Sequence, residues 1–204
     1  ESVDLFDGWY VRIGGNDPFD WGLTASGDLR VGIHNWNEWR NVNKRVTELV
    51  IPSNCCNEDE WKVLDVSALK WLKRIEIGDD CFENTERVKL IGLKELETVV
   101  IGDRCFTKHK NNSDSHEDPN RHFHLKDCKR VKELKVGCNS FFEYTVCEIE
   151  NVDSLEVIDM KESTGWDWSF WSASLKLKGG LCGVEIMNRL AQIENTSLQQ
   201  GRIQ

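Results

Sequence analysis

The sequence predicts a β-rich repeat solenoid with two short strands per 24-residue unit, and three observations carry the prediction. Leu72-Lys73-Arg74-Ile75-Glu76-Ile77-Gly78-Asp79-Asp80-Cys81-Phe82 returns 24 residues later as Leu96-Glu97-Thr98-Val99-Val100-Ile101-Gly102-Asp103-Arg104-Cys105-Phe106. Self-similarity at a fixed spacing marks a chain built by stacking one small unit. Weaker copies share the frame on both sides. Within each unit two short segments alternate apolar and polar residues, the signature of strands with one face inward and one in water.

Taken in chain order, residues 29–33 alternate and form a degenerate leading strand. The first repeat reads Val46-x-x-Leu49-x-Ile51-Pro52, with Cys55-Cys56 where later units have Cys-Phe. The two near-identical units follow. Val131-x-x-Leu134-x-Val136-Gly137 then leads to Ser140-Phe141, and Leu155-x-x-Ile158-x-Met160 is the last copy. The second strands are Leu64-Asp65-Val66, Val88-Lys89-Leu90, Phe123-His124-Leu125, Cys147-Glu148-Ile149 and Leu175-Lys176-Leu177. Gly78, Gly102 and Gly137 end the first strands, where a positive φ suits glycine. After Gly179-Gly180, Ile186, Met187, Leu190 and Ile193 follow helical spacing, which predicts a C-terminal capping helix. The resulting division is a Trp-rich cap, or the end of an upstream domain, over 1–44, the repeat body over 45–180, and a cap or tail over 181–204.

One step is long. The units begin at 46, 72, 96, 131 and 155, so the third interval carries eleven extra residues. They fall in 107–120, an entirely polar stretch containing Pro119, which predicts a loop bulging from one unit.

Written out, the frame is L-x-x-[IVL]-x-[IVM]-G-x-x-C-F, a spacer, then [VF]-x-L and a further apolar residue. It resembles the atypical leucine-rich repeats of the BspA-like class, whose units of about 24 residues also carry two short β-segments. The resemblance covers roughly residues 45–180 and is strongest in the units starting at Leu72 and Leu96. It departs from the common leucine-rich repeat in lacking L-x-x-L-x-L-x-x-N, and a right-handed β-solenoid is the alternative fold. The resemblance implies a protein-recognition scaffold with no transferable catalytic residue.

The formal net charge of -9 argues against nucleic acid and against an anionic membrane surface as partner, because both demand a basic face. No apolar run approaches the roughly 18–20 residues of a spanning helix. The chain opens on Glu rather than Met, which points to processing or a fragment and leaves a leader unassessed. The eight cysteines fall mostly on apolar positions of the frame. Cys55, Cys81 and Cys105 share one position, Cys128 replaces Leu69 and Leu93, and Cys147 replaces Val88 and Phe123. Free Cys packs there as a small hydrophobe, so reduced thiols and an intracellular setting are favoured over a secreted or surface one, with Cys55, Cys56 and Cys138 as the exceptions to watch. The sequons at Asn111 and Asn195 weigh the other way.

No nucleophile elbow, phosphate loop or H-E-x-x-H stands in the chain, and no catalytic, cofactor or metal residue is assigned. His122 and His124 flank Phe123 and so face outward, with His109 and His116 in the adjoining loop. A metal there would need the loop folded back over the strand. The sequence supports a non-enzymatic protein-interaction module. Its candidate partner surface is Lys89, His122, His124, Glu148, Lys176, His109, His116, Trp166 and Trp168. The alternative is a secreted or surface adhesin stacking glycans on exposed Trp residues. Trp166 and Trp168 share a face if extended, and Trp9, Trp21, Trp36 and Trp39 crowd the N-terminal segment.

Overall fold

The computed structural model describes residues 2–4, 10–12, 22–23, 27–108, 117–161, 169–179 and 185–187; of 2–4, 10–12, 23 and 185–187 it describes the backbone. The alternating segments do become strands. In order they are β1 (Ser2–Asp4), β2 (Tyr10–Arg12), β3 (Gly22–Leu23), β4 (Leu29–Gly32), β5 (Glu48–Ile51), β6 (Val63–Asp65), β7 (Arg74–Ile77), β8 (Arg87–Ile91), β9 (Thr98–Ile101), β10 (Asp118–Lys126), β11 (Glu133–Val136), β12 (Tyr144–Glu150), β13 (Val157–Met160), β14 (Ser174–Lys178) and β15 (Glu185–Met187). Helix α1 (Trp36–Arg40) lies between β4 and β5 and is the one helix among the described residues.

The strands assemble into two parallel sheets. One runs β15-β13-β11-β9-β7-β5-β4-β3 and the other β14-β12-β10-β8-β6, so successive strands from β5 onward alternate between the sheets. Pairing is parallel throughout both except for β3 with β4, and β1 and β2 form a separate antiparallel pair. This corrects the predicted fold class. The described residues form two broad parallel sheets with a five-residue helix and no closed barrel, and not a leucine-rich-repeat solenoid or its right-handed β-solenoid alternative. The physical reason is that period-two alternation assigns the two faces of a strand in any parallel sheet alike. A 24-residue repeat names neighbouring strands without specifying the architecture they build.

The C-terminal helix is corrected as well. Glu185–Met187 is strand β15, with Ile186 opposite Ile158 of β13. That register position outweighs a helical spacing that rested on four residues. Leu190 and Ile193 lie outside the described residues. Upstream, β4 pairs in parallel with β5, Val31 opposite Leu49, so the sheet continues across the boundary placed before residue 45.

The core lies between the sheets. Leu49, Ile75, Val99, Leu134 and Ile158 line one wall, and Leu64, Val88, Phe123 and Cys147 the other, all buried. Val46, Leu72, Leu96, Val131 and Leu155 close one corner, as do Leu69, Leu93, Cys128 and Val152. Each large side chain withdrawn from water contributes about 1.5–3 kcal/mol.

The turn after each first strand carries the strongest constraints. Asn54 and Cys56, Asp80 and Phe82, Arg104 and Phe106, and Asn139 and Phe141 all have positive φ, between 54° and 61°, and Phe170 repeats the conformation at 50°. A bulky residue there costs of order 1–3 kcal/mol. The gain that offsets it is a column of rings. Phe82 stacks on Phe106 at 5.1 Å, Phe106 on Phe141 at 4.6 Å, and Phe141 on Phe170 at 4.5 Å, with interplanar angles of 4° to 8°. These steps follow the roughly 4.7–4.9 Å separation of paired strands. The fully buried Trp61 meets the Phe82 end edge-on at 5.0 Å, and Trp36 and Trp39 of α1 pack on Trp61 in turn. Ser169-Phe170 is thus a fifth copy of the Cys-Phe turn, hidden in sequence because Ser169 stands nine positions after Met160 where Cys81 stands four after Ile77.

Between each pair of positive-φ residues sits Cys or Ser, and its role differs from the hydrophobic packing expected. Cys81 Sγ donates to Pro52 O (3.0 Å), Cys105 Sγ to Gly78 O (2.9 Å), Ser140 Oγ to Gly102 O (2.8 Å) and Ser169 Oγ to Gly137 O (2.9 Å). The column selects a small donor that ties one turn to the carbonyl of the turn before it, which explains why Cys and Ser interchange. Cys55, Cys56, Cys81, Cys105, Cys128 and Cys147 are free thiols. Cys55 is only half-buried, and it is Cys56 that sits fully inside.

Gly78, Gly102 and Gly137 are required for space and not for positive φ, which corrects the expectation. A Cβ on Gly102 would lie 2.7 Å from Gly78 C and 2.8 Å from Asp79 N. With the backbones this close, Asp79 Oδ1 accepts from Asp103 N (2.8 Å) and Asp103 Oδ1 from Cys138 N (3.0 Å). Positive φ falls instead two and four residues further on, as at Asp80 and Phe82, and again at the opposite corner, at Gly92, Asp127, Asn151 and Gly179.

Two predictions follow from these columns. Gly102→Ala lowers the urea midpoint by the equivalent of about 1–3 kcal/mol, while Gly22→Ala, where an added Cβ meets nothing within 4 Å, leaves it nearly unchanged. In the same assay Cys105→Ala costs about 1–3 kcal/mol through loss of the donor to Gly78, and Cys105→Ser costs clearly less. Equal losses for the two Cys105 variants would show that the thiol acts only by filling space.

Candidate functional site: a charged row on the five-stranded sheet

Alternation within β6, β8, β10, β12 and β14 turns one residue in two away from the core. The register places Asp65 beside Lys89, Lys89 beside His124, His124 beside Glu148 and Glu148 beside Lys176. Lys89, His124, Glu148 and Lys176, read from the sequence as outward positions of successive second strands, form one row crossing the whole sheet. His122 lies one step along β10 on the same face, beside Arg87 and Val146. Its Nε2 is 2.8 Å from Pro119 O, and its ring meets His124 edge-on at 5.9 Å.

Glu148 is the centre of the row. Its Oε2 lies 2.6 Å from Lys126 Nζ and 3.0 Å from His124 Nδ1, and its Oε1 lies 3.1 Å from Lys176 Nζ. The Lys126 hydrogen bond holds the Glu148 carboxyl down at about 2; burial opposes it, and the weaker Lys176 hydrogen bond and the charges of both lysines add to the lowering. Burial pushes the His124 imidazole below its ordinary value and outweighs the pull of Glu148. His124 is therefore neutral near pH 7 and donates to Glu148 through Nδ1–H. Lys126 rises because it is hydrogen-bonded to Glu148. Charges in this row are neighbours by backbone hydrogen bonding and need little side-chain ordering to meet.

A second row went unread in the sequence. Lys126, Glu150 and Lys178 stand beside one another two residues further along their strands, and Lys126 bridges the rows by also reaching Glu150 at 3.6 Å. Period two applied past His124 would have found it.

Arg121 and Glu143 form a buried pair that the sequence reading passed over. Their side chains are 4% and 2% exposed and stand 3.6 Å apart. Arg121 Nη1 donates to Phe106 O (3.0 Å) and Nη2 to Glu83 O (2.7 Å), while Glu143 Oε1 accepts from Lys108 N (3.0 Å). The pair anchors the chain on both sides of the 107–120 insertion. The register of β10 against β12 slips between Asp118 and His122, so the residues just before the charged row form a bulge. Arg121 shares the parity of Phe123 and Leu125, which was the available signal. A cleft of about 280 Å³ opens beside it, lined by Lys62, Glu86, Lys108, Glu117 and Arg121 among others. Its mixed charges select no ligand class.

His109, His116, Trp166 and Trp168 lie outside the described residues. Among the described residues no group of three or more His, Cys, Asp or Glu is placed to hold a metal ion. Trp36 and Trp39 face Trp61, so their rings are engaged in packing. No helix among the described residues is long and apolar enough to cross a membrane. No family model matches the chain, no curated protein is similar to it, and no solved structure matches it.

The site predicts a pH dependence whose sign follows from the two shifts. The fold depresses the Glu148 pKa, so its contribution is complete above the ordinary value of 4.5 and is lost as pH falls through about 2. The fold also lowers the His124 pKa, so that contribution is complete above 6.5 and declines below it. Urea midpoints measured from pH 7 to pH 2 will fall throughout. Glu148→Gln will flatten the lower part of the curve, and an unchanged slope between pH 4.5 and 2 would remove Glu148 as its source.

Proposed function

We propose that this chain is a non-enzymatic protein-interaction module that docks a partner on the outer face of its five-stranded sheet. The observation that carries the reading is the in-register row Asp65-Lys89-His124-Glu148-Lys176. Strand pairing sets these side chains at steps of roughly 4.7–4.9 Å on a stiff backbone. Charges of both signs at fixed positions on such a surface discriminate partners by complementarity and penalise a misregistered approach. A catalytic reading would need a nucleophile beside a base or a pair of carboxylates with separated pKa values. Here one carboxylate is neutralised by cations and the histidine is held neutral against it.

The test is site-specific photo-crosslinking from position 89 in cell extract, with position 135 on the other sheet as the comparison. A discrete partner captured from position 89, lost on His124→Glu with Lys176→Glu and retained on Lys135→Glu, is the expected outcome. Capture that ignores the row variants would overturn the reading, provided circular dichroism shows that they are folded.

A further inference from the structure

The two edges of the five-stranded sheet are treated differently. On the β6 side stands α1, its Trp36 and Trp39 rings packed against Trp61 just ahead of β6. On the other side β14 is the last strand among the described residues. Its outward residues Ser174, Lys176 and Lys178 are exposed, and its inward residues Leu175 and Leu177 are only half-buried against the core. A strand paired on one side directs alternate N–H and C=O groups away from its neighbour, ready to pair with another chain.

The rows state what that chain must carry. Glu148 stands beside Lys176, and Glu150 beside Lys178. In the second row the sign alternates at each step, Lys126, Glu150, Lys178. In the first row Glu148 lies between the neutral His124 and Lys176. Both rows end on a cation at β14. The Lys176 side chain is 51% exposed while engaging Glu148, and an ammonium has three donors. The next position in each row is therefore matched by a carboxylate and opposed by a second cation. The inward side asks for apolar residues to cover Leu175 and Leu177.

We propose that the β14 edge takes up an extended segment of a partner protein as a sixth, parallel strand of this sheet. The segment carries acidic residues at alternate positions facing Lys176 and Lys178, with apolar residues between them beside Leu175 and Leu177. This is strand addition, in which main-chain bonds supply affinity and alternate side chains supply specificity. A second copy of this chain fits less well. Among the described residues it offers two edges of the same sheet: β14, which would set Lys176 and Lys178 against the same two lysines, and β6, which presents one acid, Asp65, in three residues and stands on the α1 side.

Strand addition at the β14 edge is independent of docking on the outer face. The test uses the full chain and two fluorescein-labelled peptides, Thr-Val-Glu-Val-Glu-Val-Thr and its counterpart with Lys for both Glu. Anisotropy is expected to show the acidic peptide binding about tenfold tighter, from two favourable against two repulsive cross-strand pairs. Amide hydrogen exchange in Ser174–Lys178 will slow on binding, and Lys176→Glu with Lys178→Glu will reverse the preference. Equal binding of both peptides by the unmodified chain overturns the proposal. So does protection, before any peptide is added, of the alternate Ser174–Lys178 amides that point away from β12, which would show the edge already occupied by the chain itself. Either failure leaves the crosslinking result from position 89 to stand or fall separately.

Discussion

The distance between successive turns governs this molecule. Where the chain leaves the larger sheet, neighbouring backbones come so close that only glycine fits at positions 78, 102 and 137. That approach brings Asp79 and Asp103 within reach of the next amide, and the thiols and hydroxyls of Cys81, Cys105, Ser140 and Ser169 within reach of the preceding carbonyl. It also sets the phenylalanine rings at contact distance, which offsets the positive φ that each one adopts. The glycine, the polar ladder and the ring stack form one structural unit. Loosening any of them would widen the spacing on which the others rely.

The outer face of the smaller sheet inherits its order from that regularity. Glu148 meets Lys126, His124 and Lys176 because three strands hold their registers, and the resulting cluster is a property of the sheet more than of any loop. The buried Arg121–Glu143 pair performs the complementary task beside the insertion. Buried ion pairs of this kind add little net stability, yet removing one partner leaves a charge in the interior. Here the pair holds Phe106, Glu83 and Lys108 to a single point.

Much of the strand content was legible, because period two is a local signal. Leu49, Ile75, Val99 and Leu134 announce their facing within a few residues, and the row from Asp65 to Lys176 follows from the same parity. The assembly of those strands was not legible, since two parallel sheets and other parallel arrangements share that pattern. The Cys-Phe turn was visible as a motif, but its chemistry was not. Apolar character suggested packing, whereas hydrogen bonding to the previous turn is what Cys and Ser have in common. Glycine 78, 102 and 137 misled for a related reason. One residue type answers two demands, positive φ and absent volume, and only the neighbouring chain reveals which applies. Ile186 and Met187 show the limit of a short periodic match when a strand partner, β13, is at hand.

The insertion before β10 has a consequence for how this chain can vary. Between β9 and β11 the sequence carries eleven more residues than the equivalent interval between β7 and β9, yet Glu133 still pairs with Thr98 and Val136 with Ile101. Extra length at this corner is thus absorbed without disturbing the ladder on either side. Closing a loop twice as long costs only about 0.6 kcal/mol more, so selection can rewrite or lengthen the stretch cheaply while the sheets stay in register. The corner is a natural point of divergence, and an obvious place to graft a foreign segment.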